Sequence, residues 1–174
     1  LPRAEAANAG LEAASGDYIL FLDDDDWIDP DHLRKLAAAF KGQEGLAGVY
    51  SAVCKTTFDG SSTDIIFSQP FDRLLLLREN FIPIHAMLFP RRVLDAGCRF
   101  DTQFEIFEDW DFWLQVIRLG DFLHIPYVTA YYRTGGDSQT SASEGEDDNQ
   151  RYRGDNPMAK GRSKLFDKWL HHMS

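Results

Sequence analysis

GDYILFLDDDDW, residues 16–27, sets the reading of the whole chain. Five apolar residues, Tyr18 to Leu22, run without a break and end on four aspartates. A short unbroken apolar run reads as a strand buried on both faces, in a sheet with helices on each side. Upstream, Pro2 suits a helix start and Gly16 the position just past a helix end, which predicts a helix over Arg3 to Ala14. Downstream, Asp29-Pro30 reads as a cap and first turn. Leu33, Leu36, Ala37 and Phe40 then line one face of a second helix. A buried strand between two helices points to an α/β sandwich.

The rest of the chain keeps that alternation. Val49 to Phe58 reads as a strand, Asp59-Gly60 as a hairpin turn, and Asp64 to Phe67 as the returning strand. Short helices are expected over Phe71 to Asn80 and over Arg91 to Ala96, the latter closed by Gly97. Ile84 to Phe89 reads as a strand between them. Glu108 to Leu119 reads as a helix with Trp110, Trp113, Leu114 and Ile117 on one face and Gly120 beyond its end. Phe122 to Tyr132 holds one or two strands around Pro126. Residues 134–157 turn to Gly, Ser, Asp, Glu and Asn, the composition of a flexible acidic and polar segment. In the closing segment, residues 158–174, Arg162 to His172 read as an amphipathic helix. Leu165, Phe166, Trp169 and Leu170 form its apolar side, and His171-His172 are its tail.

The chain has 174 residues, enough for one domain, and 44% of them are hydrophobic, enough to bury a core. Its 28 acids and 18 bases leave a net charge of −10, which argues against nucleic acid as a partner. The excess lies in two places, residues 23–31 and residues 144–148. Cys54 and Cys98 are too few for a disulfide framework or a cysteine-based zinc site, and they suit a reducing, cytoplasmic compartment. No apolar run reaches the length of a membrane span, and no signal peptide opens the chain. The basic residues Lys160, Arg162, Lys164 and Lys168 leave a peripheral membrane contact of the last helix open.

Four aspartates after a buried strand repel one another unless something offsets their charge. They stand at the carboxyl end of the strand, where open α/β sheets bind ligands. Hard cations such as Mg²⁺ and Mn²⁺ prefer carboxylate oxygens together with substrate phosphates. The competing reading is a solvated acidic turn that caps the next helix. An EF-hand starting at Asp23 fails, because Ile28 and Arg34 stand where it needs Gly and Glu. Glu108-Asp109-Trp110-Asp111 opens a helix, where acids are favoured by the dipole alone. A carboxylate there also suits a general base facing an acceptor hydroxyl.

Two stretches together resemble family 2 glycosyltransferases of the GT-A fold. The first runs from Asn8, Gly10 and Leu11 through Gly16-Asp17-Tyr18 to Asp23-Asp24-Asp25-Asp26-Trp27. The second runs from Arg91-Arg92 through Gly97 to Asp101 and Glu108 to Asp111, ending at Tyr132-Arg133. The resemblance covers Ala6 to Arg133 and is weakest over Val49 to Phe81. It implies a Rossmann-like, mixed-sheet α/β sandwich, with residues 1–133 the carboxy-terminal part of the catalytic domain. It also implies inverting transfer of a sugar from a nucleotide-diphosphate donor to a saccharide or glycoconjugate acceptor hydroxyl. In that frame Asp23, Asp25 and Asp26 hold Mn²⁺ or Mg²⁺, and Asp109 is the base, supported by Glu108 and Trp110. Asn8, Asp24, Trp27 and Arg133 fall on the donor side, and His85 and Trp110 on the acceptor side.

The departures from the family pattern are specific. Ala7 stands where the family often has Arg before the Asn. Thr134 to Asp137 follow Arg133 without the frequent His, although Ser138 and Ser141 remain similar. The family's opening motifs, which build the nucleoside pocket, do not occur, so the chain reads as amino-terminally truncated and inactive by itself. A non-catalytic binding module with this fold is the alternative. A metal-dependent phosphohydrolase or nucleotidyltransferase is a third reading, which leaves the Glu108 to Asp111 match unexplained.

Overall fold

The computed structural model describes residues 1–134 and 156–170. The acidic stretch at 144–148, Ser138, Ser141 and His171-His172 lie outside the described residues. Six strands form one mixed sheet: β1 (Tyr18–Ile19), β2 (Trp27–Ile28), β3 (Gly48–Thr56), β4 (Ser62–Phe67), β5 (Met87–Pro90) and β6 (Phe122–Arg133). Their order is β1-β5-β3-β6-β2, with β4 also paired to β3. Only β3 and β6 run parallel; the other pairs are antiparallel. The helices are α1 (Arg3–Ala13), α2 (His32–Ala39), α3 (Arg73–Leu76), α4 (Arg92–Asp95), α5 (Glu108–Val116) and α6 (Pro157–Trp169).

β3 is the spine of the sheet, and nearly every residue in it is buried. Its side chains serve two cores. Val49 packs with Leu36 of α2, with Phe40 just past that helix and with Leu88 on one side. Tyr50 and Val53 face the larger core on the other, with Phe89, Phe100, Phe112 and Trp113. This is the expected sandwich of helices about a sheet. β6 is a single strand, and the Pro126 step is absorbed by a register shift between Ser51↔Ile125 and Ala52↔Val128. Proline has no N–H for the ladder, so a bulge there preserves the pairing on both sides.

Four expectations need correction. The run Tyr18 to Leu22 is not a strand buried on both faces. Only Tyr18 and Ile19 pair, with Pro90 and Phe89, and Tyr18 and Leu22 are 41% and 48% exposed. β1 ends the strand order, and Phe21 instead turns in against the rings of Phe89 and Phe100. The second helix begins at His32 and not at Asp29-Pro30: the Asp29 N–H still bonds the Thr129 carbonyl of β6, and a turn closed by the His32 N–H on the Asp29 carbonyl precedes the helix. Ile84 to Ala86 form a 3-10 turn after Pro83, and only Met87 onward is strand. Within Phe71 to Asn80 the helix spans only Arg73–Leu76, capped by the Asp72 carboxylate on the N–H groups of Leu74 and Leu75.

α6 lies against α5. Leu165 and Trp169 are buried, and Phe166 meets Trp110 edge-on at 5.9 Å. The buried Asp111 accepts the Trp169 indole N–H at 2.8 Å and pairs with Lys168 Nζ at 2.7 Å. Lys168 also reaches Asp101 at 2.8 Å. Of the apolar side read from the sequence, Leu165 and Trp169 are thus turned inward, while Leu170 is 56% exposed. Among the described residues no helix is long and apolar enough to cross a membrane.

Removing one partner of a buried ion pair leaves an uncompensated charge. Lys168→Met is expected to destabilise the protein by about 2 kcal/mol in urea unfolding, while Asp111→Asn together with Lys168→Met recovers part of that loss. His32 supplies a pH-dependent test. Its ring is fully buried, with Nδ1 2.7 Å from Thr129 Oγ1. Burial, and then the neighbouring His85, pull its pKa down to about 4. Above pH 6.5 the ring is neutral in both folded and unfolded chains and its contribution is intact. As the pH falls toward 4 only the unfolded chain takes up the proton, so stability drops by at most about 3 kcal/mol. His32→Gln should lose that part of the pH dependence in unfolding curves.

Candidate active site

The loop between β1 and β2 carries Asp23 to Asp26. One carboxylate oxygen from each of Asp23, Asp25 and Asp26 lies within 4.8 Å of the others. Asp26 is the anchor of this group. Its side chain is 2% exposed, and its Oδ2 is 2.9 Å from His85 Nδ1. Its Oδ1 accepts the Arg133 backbone N–H at 2.9 Å. The 3-10 turn and the end of β6 thus clamp the loop from two sides. Burial, and then the like charges of Asp26 and Asp25, raise the Asp23 pKa, with Arg3 pulling against them. Three hard oxygen donors crowded in this way fit a divalent cation, whose charge offsets their repulsion. Asp24 is exposed and outside the group.

Beyond the loop, Trp27 stacks on Tyr131 with ring centroids 5.4 Å apart, and the Arg133 guanidinium lies 5.2 Å from the Trp27 ring. These two donor-side candidates are therefore neighbours of the aspartate loop.

The second acidic motif opens α5. Phe107, just before it, adopts a left-handed backbone with φ 68°. That conformation is costly for a bulky residue. The Phe107 ring lies so close to Gly161 of α6 that a Cβ there would come within 3.2 Å of it. The three acids that follow face different partners. Glu108 is buried and pairs with Arg3 Nε at 3.1 Å. Asp109 accepts the Asn80 side-chain N–H at 2.9 Å on Oδ2 and the Trp110 backbone N–H at 2.7 Å on Oδ1. Asp111 is the structural anchor of α6. Burial raises the pKa of both Glu108 and Asp109; the Trp110 N–H and Asn80 hold Asp109 back in part.

Arg3 joins the two motifs. Its Nη2 is 3.2 Å from Asp23 Oδ2, while its Nε holds Glu108. The first turn of α1 therefore bridges the aspartate loop and the start of α5, which lie about 80 residues apart in sequence.

Three candidate residues sit elsewhere than expected. Asn8 uses its amide on the Phe100 backbone, donating to O at 2.8 Å and accepting from N at 2.9 Å, so it ties α1 to the Phe100 segment. His85 is 1% exposed beneath Asp26, and Trp110 is 1% exposed with its indole N–H on the Leu76 carbonyl. Neither offers a surface to an acceptor. Sequence reading passed over Arg3 and Asn80. For Arg3 a signal was present: it lies one turn before Ala7, on the same helix face, so it can supply the guanidinium which position 7 lacks.

The profile of "Glycosyl transferase family 2" matches residues 3–97. YwdF, an uncharacterized glycosyltransferase of Bacillus subtilis, is 26% identical over 143 residues, covering 78% of this chain and 53% of that protein. The chondroitin synthase of Pasteurella multocida is 30% identical over 122 residues, 70% of this chain and 13% of the synthase. The chain thus spans about half of the first and about an eighth of the second. The crystal structure of S. aureus TarS 1-349 in complex with UDP superposes with a TM-score of 0.56 at 18% identity, covering 76% of this chain and 40% of that one. At that identity the likeness establishes the fold.

Arg3 lowers the pKa of Glu108 against its burial. Arg3→Ala is expected to raise the Glu108 midpoint further in a carboxyl ¹³C NMR titration. Arg3→Lys, which keeps the charge but loses the fork, should restore it in part.

Proposed function

Because the chain belongs to glycosyl transferase family 2, we propose that the protein moves a sugar from a nucleotide-diphosphate donor to an acceptor hydroxyl, inverting the anomeric carbon. The observation that carries this reading is the Arg3 bridge, which brings the aspartate loop and the Asp109 motif into one site.

Asp109 is the base. A carboxylate needs placement more than activation to take a hydroxyl proton. Asn80 and the Trp110 N–H fix both of its oxygens, and the helix start beneath it holds the backbone still. Burial raises its pKa, so its carboxylate form is a stronger base than that of an exposed aspartate. Glu108, paired with Arg3, positions the turn from which Asp109 projects.

Asp23, Asp25 and Asp26 would hold Mn²⁺ or Mg²⁺. Bound there, the cation would supply positive charge against the negative charge that builds on a departing diphosphate. Trp27 and Arg133 stand beside that loop as a ring face and a guanidinium for the donor, with the exposed Asp24 at its rim. TarS has been crystallised with UDP, which makes UDP-sugars the first donors to try.

The test uses protein expressed from the complete reading frame, with a panel of nucleotide sugars and Mn²⁺. Asp109→Asn should lower transfer by about 10³-fold, and the acid limb of the rate profile should lie above the pH of an ordinary aspartate. Asp25→Asn should weaken Mn²⁺ binding by about tenfold or more in an electron paramagnetic resonance titration. Unchanged turnover in both variants, or no consumption of any donor, would sink the reading.

A further inference from the structure

A groove of about 460 Å³ opens between the end of β4 and residues 79–81. Ile66, Phe67, Gln69, Glu79, Asn80 and Phe81 are among its walls. Ile66 and Phe67 are 53% and 38% exposed, so apolar surface is left uncovered there. Its volume lies within the usual range for small-molecule sites.

Two independent contact chains tie this groove to the active site. Asn80 lines it and donates to Asp109 Oδ2 at 2.9 Å. On the other wall, Phe67 meets Tyr132 edge-on at 6.5 Å. Tyr132 in turn stacks on His85 at 6.3 Å, and His85 holds Asp26. The groove therefore adjoins Asp109 through Asn80 and is linked to Asp26 at longer range through the Tyr132 and His85 rings.

The chemistry of the walls narrows the occupant. Aromatic and branched apolar side chains suit the C–H faces of sugar rings, while amide and carboxylate groups suit their hydroxyls. Among the described residues that line it there is no Lys, Arg or His, and there is one carboxylate, Glu79. A uronate or phosphate on the ligand would meet that carboxylate with no opposing charge.

We propose that this groove is the acceptor subsite and that it takes a neutral saccharide. The proposal rests on the transferase reading for the word acceptor; the saccharide site itself rests on the groove.

The test is a printed array of neutral oligosaccharides (cello-, malto- and chito-tetraose) beside uronate-bearing hyaluronan and chondroitin tetrasaccharides. A neutral tetrasaccharide should be retained and the uronate ones not. Gln69→Ala and Ile66→Ser should each weaken that binding by about tenfold. Both side chains are exposed, so the thermal midpoint should hold. Glu79→Lys should bring in the uronate glycans. Preference of the unaltered protein for uronates, retention of neither class, or neutral binding unmoved by the groove substitutions would overturn the proposal. Donor consumption measured in parallel separates the two readings. If donor is consumed while the array fails, only the groove falls. If the array succeeds while no donor is consumed, the site remains a saccharide site and its role as acceptor subsite falls.

Discussion

Asp23, Asp25 and Asp26 crowd together in one segment, Glu108 and Asp109 stand side by side in another, and four of these five carboxylates are held by a specific partner. Arg3 stands between Asp23 and Glu108. His85 and the Arg133 N–H hold the two oxygens of Asp26, and Asn80 holds Asp109. These partners come from the first turn of α1, the 3-10 turn before β5, the end of β6 and the turn after α3. Much of the fold can be read as the means of bringing them there. β1 pairs over two residues before the chain leaves the sheet for the loop, and the far end of β6 reaches Asp26.

The support behind α5 follows the same logic. Phe107 enters the helix through a left-handed backbone, and strain of this kind persists only where the surroundings over-determine it. α6 supplies part of that constraint. Gly161 admits the Phe107 ring, Phe166 packs on Trp110, and Lys168 and Trp169 close on Asp111. In the Glu108 to Asp111 motif, the middle acid faces the site while the last one holds the carboxy-terminal helix. A cluster that reads in sequence as one acidic patch is thus divided between chemistry and packing.

The groove beside Asp109 extends this division. The parts that would handle donor and proton sit on the loop after β1 and at the start of α5, whereas the walls that would choose an acceptor lie in Ile66 to Phe81. There β4, the outer strand of the β3–β4 hairpin, is exposed and carries little of the core.

The starts of α1 and α5, the hairpin at Asp59-Gly60, the α/β alternation and the two acidic motifs were legible in the sequence. They depend on local rules: proline and glycine backbones, apolar periodicity and the repulsion of adjacent charges. The roles of single side chains were not legible. Asn8 and His85 carry groups that suit ligands, yet Asn8 ties down the Phe100 backbone and the buried His85 turns its Nδ1 to Asp26. Arg3 and Asn80 carry no motif and hold the site together. Tyr18 to Leu22 is apolar enough for a central strand, yet it lies at the end of the strand order. Strand order, burial and hydrogen-bond partners depend on residues tens of positions away, so only the tertiary structure decides which polar groups are already satisfied and which remain for a substrate.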